Sequence, residues 1–175
     1  MIEIPFNKLN VRIHNLWMNQ WLVLTCGDFQ SGGFNCMTVA WGSLGTMWSK
    51  PFAQVVVRPT RYTYEFMEKY DSFTLCAFPR AYRKQMQLIG STTGRKTDKI
   101  KQSGLTPCAA NIVASPVYEE AELRIECRKI YWDDLEPAHF LPAWIAPNYP
   151  DRDFHRIYFG EIVAITGTEK YLAAD

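Results

Sequence analysis

FNCMTVAWG, Phe34 to Gly42, is the stretch on which the reading of this chain turns. Its side chains alternate as in a β-strand. Its first half nevertheless sets Asn35, Cys36, Met37 and Thr38 side by side, where a strand built only for packing carries Val and Ile. Upstream, WLVLTCG (Trp21 to Gly27) is a short apolar run of β-formers, and GDFQSGG (Gly27 to Gly33) is a turn, so the two runs read as a hairpin. The polar start has two readings. Either it is a hairpin end with Cys36 and Met37 in the core, or it is backbone held open for a planar polar ligand. In the second case main-chain N–H groups bind the ligand's edge and Met37 packs on its face.

Four further segments carry strand patterns. AQVVVR (Ala53 to Arg58) is a β-branched run of the kind buried on both faces. SFTLCAF (Ser72 to Phe78) sets Phe73, Leu75 and Ala77 opposite Ser72, Thr74 and Cys76. ELRIECRKIYW (Glu122 to Trp132) predicts Leu123, Ile125 and Cys127 inward, with Glu122, Arg124, Glu126 and Arg128 outward. RIYFGEIVAIT (Arg156 to Thr166) contains Gly160, a candidate bulge or close approach. Three short helices are predicted: Thr60–Tyr70 with Thr63 as N-cap and Tyr62, Phe66 and Tyr70 on one stripe, a second from Pro79 to a cap at Gly90, and Arg95–Gly104. Many strands with few helices predict a mainly β barrel with helical covers, and not a doubly wound sheet. DDLEPAHFLPAWIAPNYPDRD (Asp133 to Asp153) is too long for an ordinary connection and reads as a lid, an insert or a subunit contact.

The 175 residues fit one domain, 1–175, and 47% hydrophobic content with 14% aromatics supports a packed core. A formal net charge of +1 gives no basic excess for nucleic acid or a membrane surface. Five dispersed cysteines (Cys26, Cys36, Cys76, Cys108, Cys127) and three histidines have neither disulfide nor metal spacing, so we expect no metal and a reduced chain. The N-terminus lacks a signal-peptide core, and no apolar run approaches the ~20 residues of a span, which makes a cytoplasmic location the expectation.

RPTRYTYEF (Arg58 to Phe66) is the strongest chemical feature. Arg58 ends a strand, Arg61 lies in the turn and Thr63 begins a helix. Two guanidinium forks beside helix N–H groups suit a phosphate, and a plain surface turn is the alternative. GSTTGRKTDK (Gly90 to Lys99) fails as a Walker loop, because its glycines are one residue too close and Arg95 replaces Lys. It is either a hydroxyl-rich anion loop or an ordinary connection. His155 is a proton-donor candidate by its ordinary pKa, or a hydrogen-bonded interface residue. Cys36 has no activating base nearby in sequence.

Taken in order, NCMTVAWGSLGTMWSKPFAQVVVRPTRYTYEFMEKYDSFTLCAF, GSTTGRKTDKI and FHRIYFGEI resemble the flavin reductase-like, FMN-binding split-barrel family, and within it the flavoredoxin-type branch. The resemblance implies a six-stranded antiparallel split barrel that pairs as a homodimer with one FMN per subunit. It implies that Asn35, Cys36, Met37 and Thr38 line the isoalloxazine, mainly through main-chain groups. Arg58, Arg61, Tyr62 and Thr63 would hold the phosphate end, and Ser91, Thr93 and Lys99 would close it. The segment around Trp144 and His155 would approach from the cover or from the other subunit. The expected activity is electron transfer from NADH or NADPH through FMN to a flavin, ferric or protein acceptor, with His155 as the catalytic candidate. The alternative is an electron carrier with no reductase activity of its own.

Overall fold

The computed structural model describes residues 1–174. The chain runs β1 (Ile2–Glu3), α1 (Ile13–Asn15) prolonged by a π-turn Leu16–Gln20, β2 (Leu22–Asp28), β3 (Gly33–Val39), β4 (Gly42–Met47) and β5 (Lys50–Val57). It continues with α2 (Tyr62–Lys69), β6 (Ser72–Ala77), α3 (Arg83–Ser91), α4 (Lys99–Ser103), β7 (Pro107–Cys108), β8 (Val117–Tyr118), β9 (Leu123–Asp134) and β10 (Arg156–Gly167). The main sheet has the order β3-β2-β6-β9-β10-β5-β4, with β1 added on β10, and its pairings are antiparallel. All six predicted strands lie in it. The sheet does not close on itself, since β3 and β4 remain its ends, and the architecture is a mainly β split barrel.

The curvature comes from β9 and β10, whose ladder shifts register between Phe159 and Gly160 and again between Ile162 and Ala164. Such bulges bend a strand and increase its twist. Gly160 serves both roles its sequence context suggests, for a Cβ there would sit 2.7 Å from both Cys127 Cβ and the Phe73 ring.

Alternate residues of β2, β6 and β9 face two separate cores. Leu22, Leu24, Phe73, Leu75, Leu123 and Ile125 fill the barrel interior. Val23, Cys36 and Cys76 pack outward against Met86, Ile89, Leu105 and Tyr118 of a second layer. This layer corrects two expectations. β6 is buried on both faces, and the supposedly outward Glu126 is only 2% exposed. The polar side chains of these strands anchor the covering segment 105–121. Thr25 bonds Tyr118 OH, Thr74 donates to Pro116 O, Ser72 bonds Ser115, and Glu126 accepts from the N–H groups of Asn111, Ile112 and Val113. The reverse holds for β5, which alternates: Ala53, Val55 and Val57 are buried and Val56 is half-buried on the other face.

The helices are shorter than their patterns suggested. α3 starts at Arg83, after a 3-10 turn, and runs past Gly90 to Ser91, so Gly90 is a point of close packing against Thr38 rather than a cap. α4 starts only at Lys99, where Asp98 accepts from Lys101 N, and ends at Gly104 with a φ of 71°. β4 lacks the β-branched content that would announce a strand, and it forms because Trp48 and Ser49, both with positive φ, turn it onto β5.

Candidate functional site

The edge strand β3, the start of α2, the end of α3 and the 92–98 loop enclose a cleft with two lobes. One lobe, about 400 Å³, is lined by Met37, Thr38, Ala40, Trp41, Val56, Arg58, Arg61 and His155. The other, about 150 Å³, lies between Met37, Arg61, Tyr62 and Thr63 on one side and Gly90, Ser91, Thr92, Thr93 and Lys99 on the other. Met37 and Arg61 border both lobes, so together they form one elongated site.

β3 pairs only with β2, which leaves its outer edge free of strand partners. The Cys36 carbonyl turns to that edge and accepts from Thr63 Oγ1 at 3.0 Å. Antiparallel alternation then directs the main-chain groups of Thr38 the same way, toward the cleft. The Thr38 hydroxyl is itself engaged, donating to Met86 O at 2.6 Å. The polar side chains that open this strand are used within the fold, Asn35 on Thr63 and Thr38 on the Met86 carbonyl.

Thr63 is not the N-cap expected of it. α2 begins at Tyr62 after Arg61, no side chain caps its first turn, and Thr63 is buried as a bridge that also accepts from Asn35 Nδ2 at 2.8 Å. Asn35 lies behind the cleft wall, pressed against Gly94, where a Cβ would stand 2.3 Å from Asn35 Oδ1. The Cys36 thiol is fully buried in the outer core, and burial raises its pKa, which removes it as a nucleophile.

The phosphate candidates divide. Arg58 is already engaged: Nη1 donates to both Asp153 oxygens at 3.0 and 3.1 Å, and Nη2 donates to Asn148 O at 2.7 Å. Arg61 is exposed at the junction of the two lobes and has no ion-pair partner among the described residues. Lys99 is buried, and its Nζ donates to Ile89 O and Thr92 O at 3.1 Å each, closing the end of α3. Burial lowers the Lys99 pKa, with the nearby Cys36 opposing and Arg61 reinforcing the shift. Ser91 Oγ donates back to Gln87 O, and Thr93 Oγ1 accepts from Arg95 N. Arg95, one of the loop cations, clamps the loop to α2 through Thr60 O and Glu65.

His155 lines the larger lobe but differs from the expected acid. It is buried, its Nδ1 lies 2.8 Å from Tyr149 OH, and its ring is 5.2 Å from that of Trp41. Burial, then Arg58 and Arg61, lowers its pKa to about 4 against the pull of Asp153, so at neutral pH it is an uncharged imidazole. It can share a proton in a hydrogen bond there but carries no extra one to give. Trp41, 53% exposed at the mouth, is a lining residue that the sequence reading passed over. Its signal was an aromatic directly after the strand, in VAWG. The insert begins later than its composition suggested, since Asp133 and Asp134 still pair in β9.

Among the described residues no cluster of His, Cys, Asp or Glu is arranged to hold a metal, and no helix is long and apolar enough to cross a membrane. A family model described as flavin reductase like domain matches residues 18–173. The flavoredoxin of Desulfovibrio vulgaris (Miyazaki F) superposes with a TM-score of 0.67 at 22% identity, over 92% of this chain and 75% of that one. The flavoredoxin of Methanosarcina acetivorans does so with 0.67 at 23% identity, over 100% and 81%. An FMN-binding protein of Thermus thermophilus, with bound 1-cyclohex-2-enone, gives 0.67 at 18% identity over 89% and 74%. Such identities speak for the fold alone. No curated protein sequence matches the chain.

Proposed function

We propose that this chain, which belongs to the flavin reductase-like family, binds FMN in the two-lobed cleft and acts as an oxidoreductase. Electrons would come from NADH or NADPH and pass to a flavin, a ferric complex or a protein. The observation that carries the reading is Arg61, a cation without an ion-pair partner among the described residues, at the start of α2 and facing the hydroxyl-rich 91–93 loop across the smaller lobe. That donor set suits a phosphate dianion. The larger lobe suits a planar ring, with the free edge of β3 along one side and Trp41 and His155 at its mouth. Bound flavin supplies hydride acceptance and electron transfer that no side chain here offers.

The chain's own residues bind and orient. The edge groups at Thr38 hold heteroatoms, Met37 packs between the lobes, and neutral His155 offers a hydrogen bond without placing a third cation beside Arg58 and Arg61. A second copy of the chain is part of the proposal, because Trp48 in the β4–β5 turn and Tyr131 on β9 are exposed aromatics in one row with Phe159 of β10. Five unpaired thiols suit a reducing compartment such as the cytoplasm.

The test is the visible spectrum of the purified protein, titrated with FMN and then reduced without oxygen. A flavin spectrum bleached by NADH or NADPH within seconds supports the reductase. Bleaching only through an added partner protein supports the carrier. Protein that stays colourless in the presence of FMN and oxidises neither nicotinamide overturns both.

A further inference from the structure

Segment 135–155 is a strap closed at its base and fastened at one more point. At the base, Arg156 pairs with both oxygens of Asp134 at 2.7 Å each, and Leu135 N donates to His155 O at 3.0 Å. The other fastening is Arg58, at the end of β5 and 95 residues from its carboxylate partner. Its fork takes both oxygens of Asp153 and the carbonyl of Asn148, and its plane lies 4.9 Å over the Tyr149 ring. Thr60 Oγ1 donates to the same carboxylate at 3.3 Å. Tyr149 in turn bonds His155 at 2.8 Å, and its ring packs with Phe140 and Phe154. The ion pair is mostly shielded from water, with 24% of the Arg58 side chain and 13% of the Asp153 side chain exposed, and salt screens it less than an open pair.

We propose that Arg58 and Asp153 are a positioning latch that fixes the strap and, through Tyr149, the His155 ring that lines the larger lobe, leaving Arg61 to anchor the phosphate. Nη1 and Nη2 of Arg58 are both committed, to Asp153 and to Asn148, so a phosphate taken on those nitrogens would have to compete with Asp153. Asp153 already fills the place that a phosphate would take on Arg58. The inference rests on the flavin reading of the cleft.

The experiment compares FMN with riboflavin, which carries the same ring and ribityl chain without the phosphate. Both are titrated into the wild type, R61A, R58A, D153A and R58A/D153A. We expect R61A to weaken FMN about ten- to a hundredfold and leave riboflavin unchanged, the loss of one charge-assisted contact. R58A and D153A should shift both ligands by a common factor and keep their ratio, and the double variant should match the singles. Chymotrypsin at the exposed Trp144 should cut R58A and D153A several-fold faster than wild type, and R61A at the wild-type rate. If R58A loses FMN selectively, as R61A does, Arg58 is a phosphate ligand and the latch is overturned. Wild-type cleavage rates in both latch variants also overturn it. Should R58A fail to fold, the near-isosteric D153N gives the same comparison. If neither flavin binds the wild type, the flavin reading falls while proteolysis still decides the latch.

Discussion

Glu126 on β9 is 2% exposed, yet no cation pairs with it among the described residues. Its compensation is a nest of main-chain donors: Oε1 accepts from Asn111 N at 2.8 Å, and Oε2 from Ile112 N at 2.7 Å and Val113 N at 3.2 Å. A buried carboxylate survives only with such hydrogen bonds, and each bond to a charged group contributes about 1.5–3 kcal/mol. E126Q removes the charge and turns an amide N–H toward at least one of those donors, and we expect it to cost about 2–4 kcal/mol. Urea unfolding reads this directly, and a loss under about 0.5 kcal/mol would mean the loop holds itself. His155 makes a second prediction. Its pKa falls from the ordinary 6.5 to about 4 in the fold, chiefly by burial. Between those values the unfolded chain binds a proton that the folded chain refuses. Stability therefore rises with pH across that window, is fully present above it, and is lost as pH falls toward 4, an effect of at most ~3 kcal/mol. H155Q should flatten that part of the curve of unfolding free energy against pH, and parallel curves for both proteins would contradict the assignment.

The β4–β5 hairpin shows an element formed against its own residue preferences. A two-residue turn with positive φ at both positions favours Asn-Gly, yet Trp48 and Ser49 stand there at φ 53° and 59°. S49G relieves the side-chain clash, and we expect a gain of about 0.5–1 kcal/mol, read as a rise of ~1–4 °C in the midpoint of thermal unfolding. No gain would mean that Ser49 is held there without strain. This hairpin also marks what the sequence could not convey. Six strands were legible, some by alternation that reports which face meets a core and others, such as Ala53 to Arg58, by an unbroken run of β-formers. β4, with Gly42 and Gly45 and no Val or Ile, is a strand only because the turn lays it on β5. Alternation also reports polarity and not cover. Glu126 read as outward and Ser72 and Thr74 only as the face opposite Phe73 and Leu75, whereas the covering segment 105–121 buries all three. At the cleft, β3 and the Arg58–Thr63 turn were legible as local motifs. The partners were not: Arg58 meets Asp153, Thr63 meets Cys36, and Lys99 meets two carbonyls of the α3 end, all through contacts that the fold alone creates.

At the scale of the whole molecule, a row of rings runs from the core to the surface and leaves its outer end uncovered. Phe52 meets Phe159 at 5.4 Å, Phe159 meets Tyr131 at 5.8 Å, and Tyr131 meets Trp48 at 6.5 Å. The row emerges from core to solvent, for Phe52 is buried while Tyr131 is 46% and Trp48 64% exposed. Met47 beside Trp48 and Ile130 beside Tyr131 extend the apolar surface. Scattered exposed hydrophobics need no partner, but a contiguous run of aromatic and aliphatic side chains on strand surfaces marks an interface. The chain's near-neutral charge puts no strong repulsion between copies. Both arguments favour a second copy on this face, where Trp and Tyr act as the central anchors of an interface. We therefore expect wild-type protein to sediment as a dimer at micromolar concentration. W48E/Y131E places two carboxylates against their own symmetry mates in a desolvated patch, which costs several kcal/mol and should yield monomers with an unchanged far-UV spectrum. Neither residue touches the cleft lobes. Flavin affinity measured on those monomers then separates two architectures, because a site complete within one chain keeps its affinity and a site finished by the partner loses it. A wild type that sediments as a monomer would refute the pairing itself and leave the aromatic row without a partner of its own kind.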